Sequence, residues 1–138
     1  MAWRAGGASQ EEMSLALDSA AQVCGVGPLL DRNIFALSGG EKQRIACASA
    51  WAMGPEVFVL DEPSSNLDGE GIHQLRDILR RLKAAGKTVL VAEHRLWYAA
   101  DLADRVFYLR EGQLERIYTG GEFLLCRKRN GAPWVCGV

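Results

Sequence analysis

Val57-Phe58-Val59-Leu60-Asp61-Glu62 decides the fold of this chain. Four apolar residues in a row, β-branched and aromatic among them, followed by two acids, describe a strand buried on both faces that ends on a carboxylate. Pro63 closes it. Downstream, Thr88 to Ala92 has the same character and ends at Glu93-His94. Between the two strands, Ile72, Leu75, Ile78, Leu79 and Leu82 mark one face of a helix that Gly86 ends. Strand, helix and strand in this order predict an α/β fold with a mainly parallel sheet. Ligands of such sheets sit at the C-terminal ends of the strands. Asp61 and Glu62 stand there, and His94 joins them if the two strands are neighbours. One carboxylate can hold Mg²⁺, mostly through water. The adjacent one points elsewhere, because strand side chains alternate, and can polarise an attacking water. Taken alone, the pair is equally an acidic turn before a proline, and a histidine at a strand end is more often structural.

Upstream lies Leu37-Ser38-Gly39-Gly40-Glu41-Lys42-Gln43-Arg44, which opens a helix running to about Met53, where Gly54-Pro55 stops it. Ser38 and Glu41 have the spacing of a capping box. Two glycines in the first turn cost about 1 kcal/mol each against alanine, so a helix start alone does not explain them. Glycine lets another backbone, or a phosphate, come close. A helix N-terminus offers free N–H groups and partial positive charge, which suit an anion. A phosphate contact and a plain Ser-capped helix both remain open on these residues. Further upstream, Met13, Ala16, Leu17, Ala20, Ala21 and Cys24 recur at helical spacing, with Ser9 or Ser14 as cap, and a short helical turn follows at Leu29 to Arg32. Beyond His94, a helix over about Leu96 to Ala103 leads to a hairpin of Val106–Leu109 and Leu114–Tyr118 around Glu111-Gly112. Thr119 to Val138 is expected to be a weakly specified tail.

Composition narrows the function classes. The 138 residues carry 16 Lys+Arg against 17 Asp+Glu, for a net charge of -1, which argues against a general nucleic-acid surface. At 49% hydrophobic the chain is not disordered as a whole. No run approaches the ~20 apolar residues that span a bilayer. Cys24, Cys47, Cys126 and Cys136 form no C-x-x-C pair and are expected as reduced thiols; nothing requires a Cys126–Cys136 bond. Gly86-Lys87-Thr88 matches only the end of the phosphate-loop pattern: Arg81 stands where its first glycine belongs, and helix precedes strand instead of following it. His73, in mid-helix, is structural.

Taken together and in order, these pieces resemble the ATP-binding cassette (ABC) ATPase family. Leu37 to Arg44 is similar to its signature motif, Val57 to Glu62 to its Walker B strand with the catalytic glutamate, Ser64-Ser65-Asn66-Leu67-Asp68 to its D-loop, and His94 to its switch histidine. The resemblance covers about Leu37 to Tyr118. It implies a partial P-loop NTPase-like three-layer fold, with a remnant helical subdomain over 1–36, the later core over 37–118 including a C-terminal β-hairpin, and the tail over 119–138. It implies ATP and Mg²⁺ as cofactors, Asp61 on the metal, Glu62 and His94 as catalytic groups, and Ser38, Gly39, Gly40, Glu41 and Asp68 as nucleotide- or interface-contacting residues. Partners would be a second ABC ATPase domain, paired head to tail, and transmembrane permease subunits that hold the chain at the cytoplasmic face of a membrane. The wording around Asp61–Asp68 and Glu93–Arg95 is most similar to energy-coupling-factor importers, which take up vitamins and metal ions.

A Walker A P-loop, an upstream aromatic for adenine and a Q-loop are not recognisable in the 138 residues, so the sequence resembles the C-terminal part of such a domain. The leading expectation is the ATPase component of an importer, incomplete in this chain and inactive alone. The alternatives are a non-catalytic pairing module that donates its signature to a full-length partner, and a non-transport ABC-superfamily ATPase. Unpaired strand edges and apolar faces are expected to leave the isolated chain marginally stable.

Overall fold

The structure, a computed structural model, describes residues 9–130. The chain divides into two compact units, Met1–His94 and Arg95–Val138. The helical residues before Leu37 therefore pack within the same unit as both parallel strands.

In the first unit, helix α1 spans Gln10–Cys24 and Ser9 caps it in a full capping box with Glu12; Gly25, at φ 65°, ends it. Short 3₁₀ turns at Gly27–Leu29 and Ile34–Ala36 lead to helix α2, Gly39–Ala52. The first turn thus lies slightly ahead of its expected place, because Pro28 suits an early helical position. Gly54 takes φ 66° past the end of α2, as its sequence predicts. Strand β1 is Val57–Asp61, helix α3 is Gly69–Ala84 and strand β2 is Thr88–Ala92. The strands are parallel neighbours, in register from Val57 opposite Thr88 to Asp61 opposite Ala92.

Helices and sheet share one apolar core. Leu82, at 1% exposure, and Ile78 come from α3, Phe58 from β1, Cys24 from α1 and Cys47 from α2. Trp51 stacks on Phe58 with ring centroids 6.1 Å apart, and its indole N–H donates to the Ser19 hydroxyl. Arg81 reaches back from α3 and donates to the Gln22 and Val23 carbonyls, which the end of α1 leaves without helical partners. Cys24 and Cys47 are free and buried, and burial pushes the Cys24 thiol up to about 11, so it stays protonated and unreactive at neutral pH. Cys136 and the side chain of Cys126 lie outside the described residues.

One expectation is corrected. The β1 strand is not buried on both faces: Phe58 points into the core, whereas Val59 is 72% exposed, and Val57 and Leu90 lie open on the same side. Among the described residues, the helices of this unit cover the face that carries Phe58, Leu60 and Val89.

The second unit opens with a single 3₁₀ turn, Leu96–Tyr98, and not the expected helix to Ala103. Ala99 sits at φ -121°, outside helical geometry, and stops it. Strands β3, Arg105–Arg110, and β4, Gln113–Thr119, form the expected antiparallel hairpin. Its turn residues Glu111 and Gly112 both have positive φ, as a two-residue type I′ turn requires. The expected tail differs most: Gly120–Asn130 is helix α4. Thr119 and Glu122 close its N-terminus, the Thr119 amide donating to the carboxylate at 2.8 Å and the Glu122 amide to the Thr119 hydroxyl. Tyr118 and Phe123 then meet edge to face. Thr119-Gly120-Gly121-Glu122 is a capping box that the abundance of glycine and basic residues around it concealed.

Candidate functional site

Two groups of side chains come together in the first unit. One lies at the C-terminal ends of the parallel strands. The ladder continues one residue past β1, where the Glu62 amide donates to the Ala92 carbonyl at 2.8 Å. Glu62 itself takes φ 42°, a left-handed conformation that a residue with a Cβ adopts at a cost. From there its carboxylate meets His94 Nε2 at 2.9 Å. The structure thus brings together the acid and the histidine that the strand order predicts. The pair is open to solvent, with His94 86% and Glu62 52% exposed, so it contributes little to stability and stays accessible to a ligand. Asp61 ends β1 beside Ala92 of the neighbouring strand and is exposed.

The other group surrounds the start of α2. The Ser38 hydroxyl accepts from the Glu41 amide and the Ser38 amide donates to the Glu41 carboxylate at 2.8 Å, so the capping box is complete. The second Glu41 oxygen accepts from Arg32 at 2.6 Å, a partner that the sequence did not single out. Gly39 and Gly40 hold the first helical amides, which have no acceptor within the helix. Gly39 sits tightly as well, since a Cβ there would lie 3.2 Å from the Asn66 carbonyl oxygen, whereas one on Gly40 would make ordinary contact, 3.5 Å from Gly71 Cα. The loop before α3 therefore runs close over the start of α2. Asp68 caps α3 by accepting from the Gly71 amide at 2.8 Å. Between the two helix starts lies a cleft of about 400 Å³, lined by Ser38, Gly39, Gly40, Asn66, Asp68 and Gly71 among others.

Only the start of α2 in this cleft suits an anion, since the lining also carries Glu41, Asp68 and Glu70 against Arg44. Free amides at a helix start and a hydroxyl that can still donate its proton are phosphate-binding groups. Among the described residues no group of three or more His, Cys, Asp or Glu side chains could hold a metal. Asp61 is a lone exposed carboxylate, which can serve only as one ligand of a hard divalent cation whose other ligands are phosphate and water. Glu41 is committed to Ser38 and Arg32, so it shapes the helix start and has no spare oxygen directed at a ligand.

The Ser38 amide holds the Glu41 carboxyl below its ordinary 4.5, with the Ser38 hydroxyl and Arg32 adding to the effect. The capping partners Ser9 and Thr119 lower Glu12 and Glu122 in the same way, again chiefly through their amides. A carboxyl depressed in the folded state stabilises it above the unfolded value and loses that contribution as the pH falls through the folded value. Glu41→Gln is expected to lower the thermal midpoint at neutral pH and to make no difference well below pH 4.5. Melting curves of both proteins across that range test this; a gap that persists in acid would refute it.

A parallel strand pair with acids at its C-terminal ends, a crossover helix and an anion-accepting helix start define an α/β fold of the P-loop NTPase type. Residues 5–65 match the ABC transporter family model. A putative ABC transporter ATP-binding protein of Treponema denticola is 44% identical over 108 residues, which are 78% of this chain and 22% of that protein. The structure of cbiO1 from Clostridium perfringens, part of the ABC transporter complex cbiONQ, superposes with a TM-score of 0.79 at 30% identity, over 89% of this chain and 51% of that one. The dimeric post-hydrolysis state of the ATP-binding cassette MJ0796, bound to ADP and Pi, gives a TM-score of 0.66 at 29% identity, over 81% of this chain and 49% of that one. Over the matched residues the chain is similar to the ATP-binding cassettes of ABC transporters. It spans less than half the length of the curated relatives it matches.

The sequence reading missed three residues of this arrangement. Arg32 pairs with Glu41, Gly71 has its Cα 3.5 Å from where a Cβ on Gly40 would lie, and Glu93 hydrogen-bonds across the strand ends. None had a spacing signal, because each acts across a fold contact distant in sequence or through backbone proximity.

Proposed function

We propose that this chain is an ATP-hydrolysing component of an ABC-type importer of vitamins or metal ions. The observation that carries the reading is the 2.9 Å contact of Glu62 with His94 at the ends of adjacent parallel strands. A carboxylate and an imidazole there are suited to orient a water and to sense a phosphate. Bound Mg·ATP would supply the scissile phosphoanhydride and the charge that neutralises its oxygens. In this reading Asp61 holds Mg²⁺ and Glu62 polarises the water. His94 touches the terminal phosphate. Ser38, Gly39 and Gly40 contact phosphate in the site of a second cassette paired head to tail, Glu41 fixes their helix start, and Asp68 lies at the interface of the pair. Permease subunits would hold the assembly at the cytoplasmic face of a membrane. Among the described residues no helix is long and apolar enough to cross one. Similarity to cbiO1, part of the ABC transporter complex cbiONQ, supports a place in a transporter assembly.

A second reading, donation of the signature to a full-length partner, draws on the cleft at the start of α2, which is complete without a P-loop. The test is ATP turnover by the purified chain, alone and mixed with an ABC cassette that carries a P-loop. Alone, these 138 residues are expected to turn over negligible ATP, because they hold no G-x-x-x-x-G-K-[ST] cradle for the β- and γ-phosphates. Robust turnover by the chain alone, abolished by Glu62→Gln, would overturn that expectation. In the mixture, a change in the cassette's rate that disappears with Ser38→Ala supports donation, and an unchanged rate rejects it.

A further inference from the structure

Resting on the reading of Glu62 and His94 as a nucleotide-facing pair, we infer that Glu93 is the positioning residue that holds the two together. Its carboxylate bridges two segments. Oε2 accepts from the Ser64 amide at 3.2 Å, in the loop that follows β1. Oε1 accepts from the amide of His94 at 2.9 Å, past the end of β2. One side chain therefore ties the backbone two residues beyond Glu62 to the backbone of His94.

Glu62 needs such a tie. Its left-handed φ of 42° persists only if its surroundings over-determine it. Before it, the amide bond to Ala92 anchors the chain. After it, the Ser65 amide donates to the Glu62 carbonyl and closes a turn over Pro63 and Ser64. Within that turn the Glu93 bond to Ser64 fixes the loop against the second strand. Side-chain chemistry at Ser64 offers no substitute: the residue is fully buried and its hydroxyl has no hydrogen-bond partner. A bond between an amide and an ionised carboxylate is of the stronger kind. The Glu62–His94 contact itself is exposed and weak, so it does not set its own geometry.

The test uses the isotope-labelled 138-residue chain and reads how far Glu62→Gln moves the His94 ring resonances. In the native background the shift is large, because the groups touch. With Glu93→Ala the same substitution is expected to move them about tenfold less, and the Ser64 and His94 amides to exchange with solvent about tenfold faster. Glu93→Gln keeps one carbonyl acceptor and gives an intermediate response. Ser64→Ala leaves the native response unchanged, since its hydroxyl holds nothing. Unaltered Phe58 and Leu82 signals establish that the core is intact. A full native response in Glu93→Ala overturns the inference. If that variant does not fold, a full response in Glu93→Gln overturns it and a reduced one upholds it. Titration with Mg·ATP reads the nucleotide assignment separately. A chain that shows the Glu93-dependent coupling and ignores Mg·ATP refutes the assignment and keeps the coupling; a chain that responds to Mg·ATP without the coupling does the reverse.

Discussion

Glu62→Gln is expected to lower ATP turnover by about 10²- to 10⁴-fold in a nucleotide site that uses these strand ends, the range for removal of a general base. The substitution is unusually clean here. Glutamine has the same length and keeps an oxygen that can accept from His94 Nε2. The Glu62–His94 pair is exposed and worth at most about 1 kcal/mol, so the fold does not depend on its charge. The left-handed backbone at residue 62 suits glutamine no worse than glutamate. Turnover should therefore fall while the thermal midpoint stays put. Rate and melting curve, taken on a fusion that places the P-loop half of an ABC cassette ahead of this chain, check this, since a separate cassette would turn over ATP with its own strand-end glutamate. A rate within about threefold of native, with unchanged stability, would remove Glu62 from the catalytic role.

Leu82→Ala is expected to destabilise the first unit by about 2–5 kcal/mol, the range for a leucine truncated in a packed core. Leu82 is 1% exposed and lies in the cluster where α1, α2, α3 and β1 meet. Among the described residues the opposite face of the strand pair, with Val57, Val59 and Leu90, is open, so the cluster around Leu82 is the core they share. A loss of that size is a large part of the ~5–15 kcal/mol that an ordinary domain has in total. Denaturant titration followed at the indole N–H resonance of Trp51, whose ring stacks on Phe58, reads it directly. A cost below about 1 kcal/mol would mean that the core tolerates collapse around the gap.

Period and punctuation made much of the fold legible. The apolar stripe of α3, the left-handed glycines after α1 and α2, and the Glu111-Gly112 turn all carry a local physical signal, and each element lies where that signal places it. The errors share a cause. An apolar run such as Val57–Leu60 states that a strand belongs in a buried place, but not which faces this unit covers. Leu96–Ala103 is apolar enough for a helix, yet Ala99 leaves helical geometry. The α4 helix was hidden because composition was weighed over the Thr119–Glu122 spacing.

That last case also bears on the site. Ser38-Gly39-Gly40-Glu41 and Thr119-Gly120-Gly121-Glu122 have the same pattern, and both form capping boxes. In both, a Cβ on the first glycine would press on a backbone carbonyl, tightly on that of Asn66 at 3.2 Å and prohibitively on that of Ala103. The pattern alone therefore specifies a capped helix with a close backbone neighbour. What sets the first copy apart is the cleft that Asn66, Asp68 and Gly71 complete around it, and that is a property of the fold. The meeting of Glu62 with His94 was legible once the two strands were taken as neighbours. The Glu93 bridge was not, because it joins residues 29 apart in sequence through a backbone amide.

The central claim is that the start of α2 and the ends of β1 and β2 are nucleotide-facing surfaces. Amide resonances of the labelled chain, followed through a titration with Mg·ATP, test it most directly. The expected result is a saturable shift, with a Kd of about 1 mM or weaker, centred on Ser38, Gly39 and Gly40 and on Asp61, Glu62 and His94. Spectra in which those residues stay unmoved while Mg·ATP shifts others, or shifts none, would contradict it.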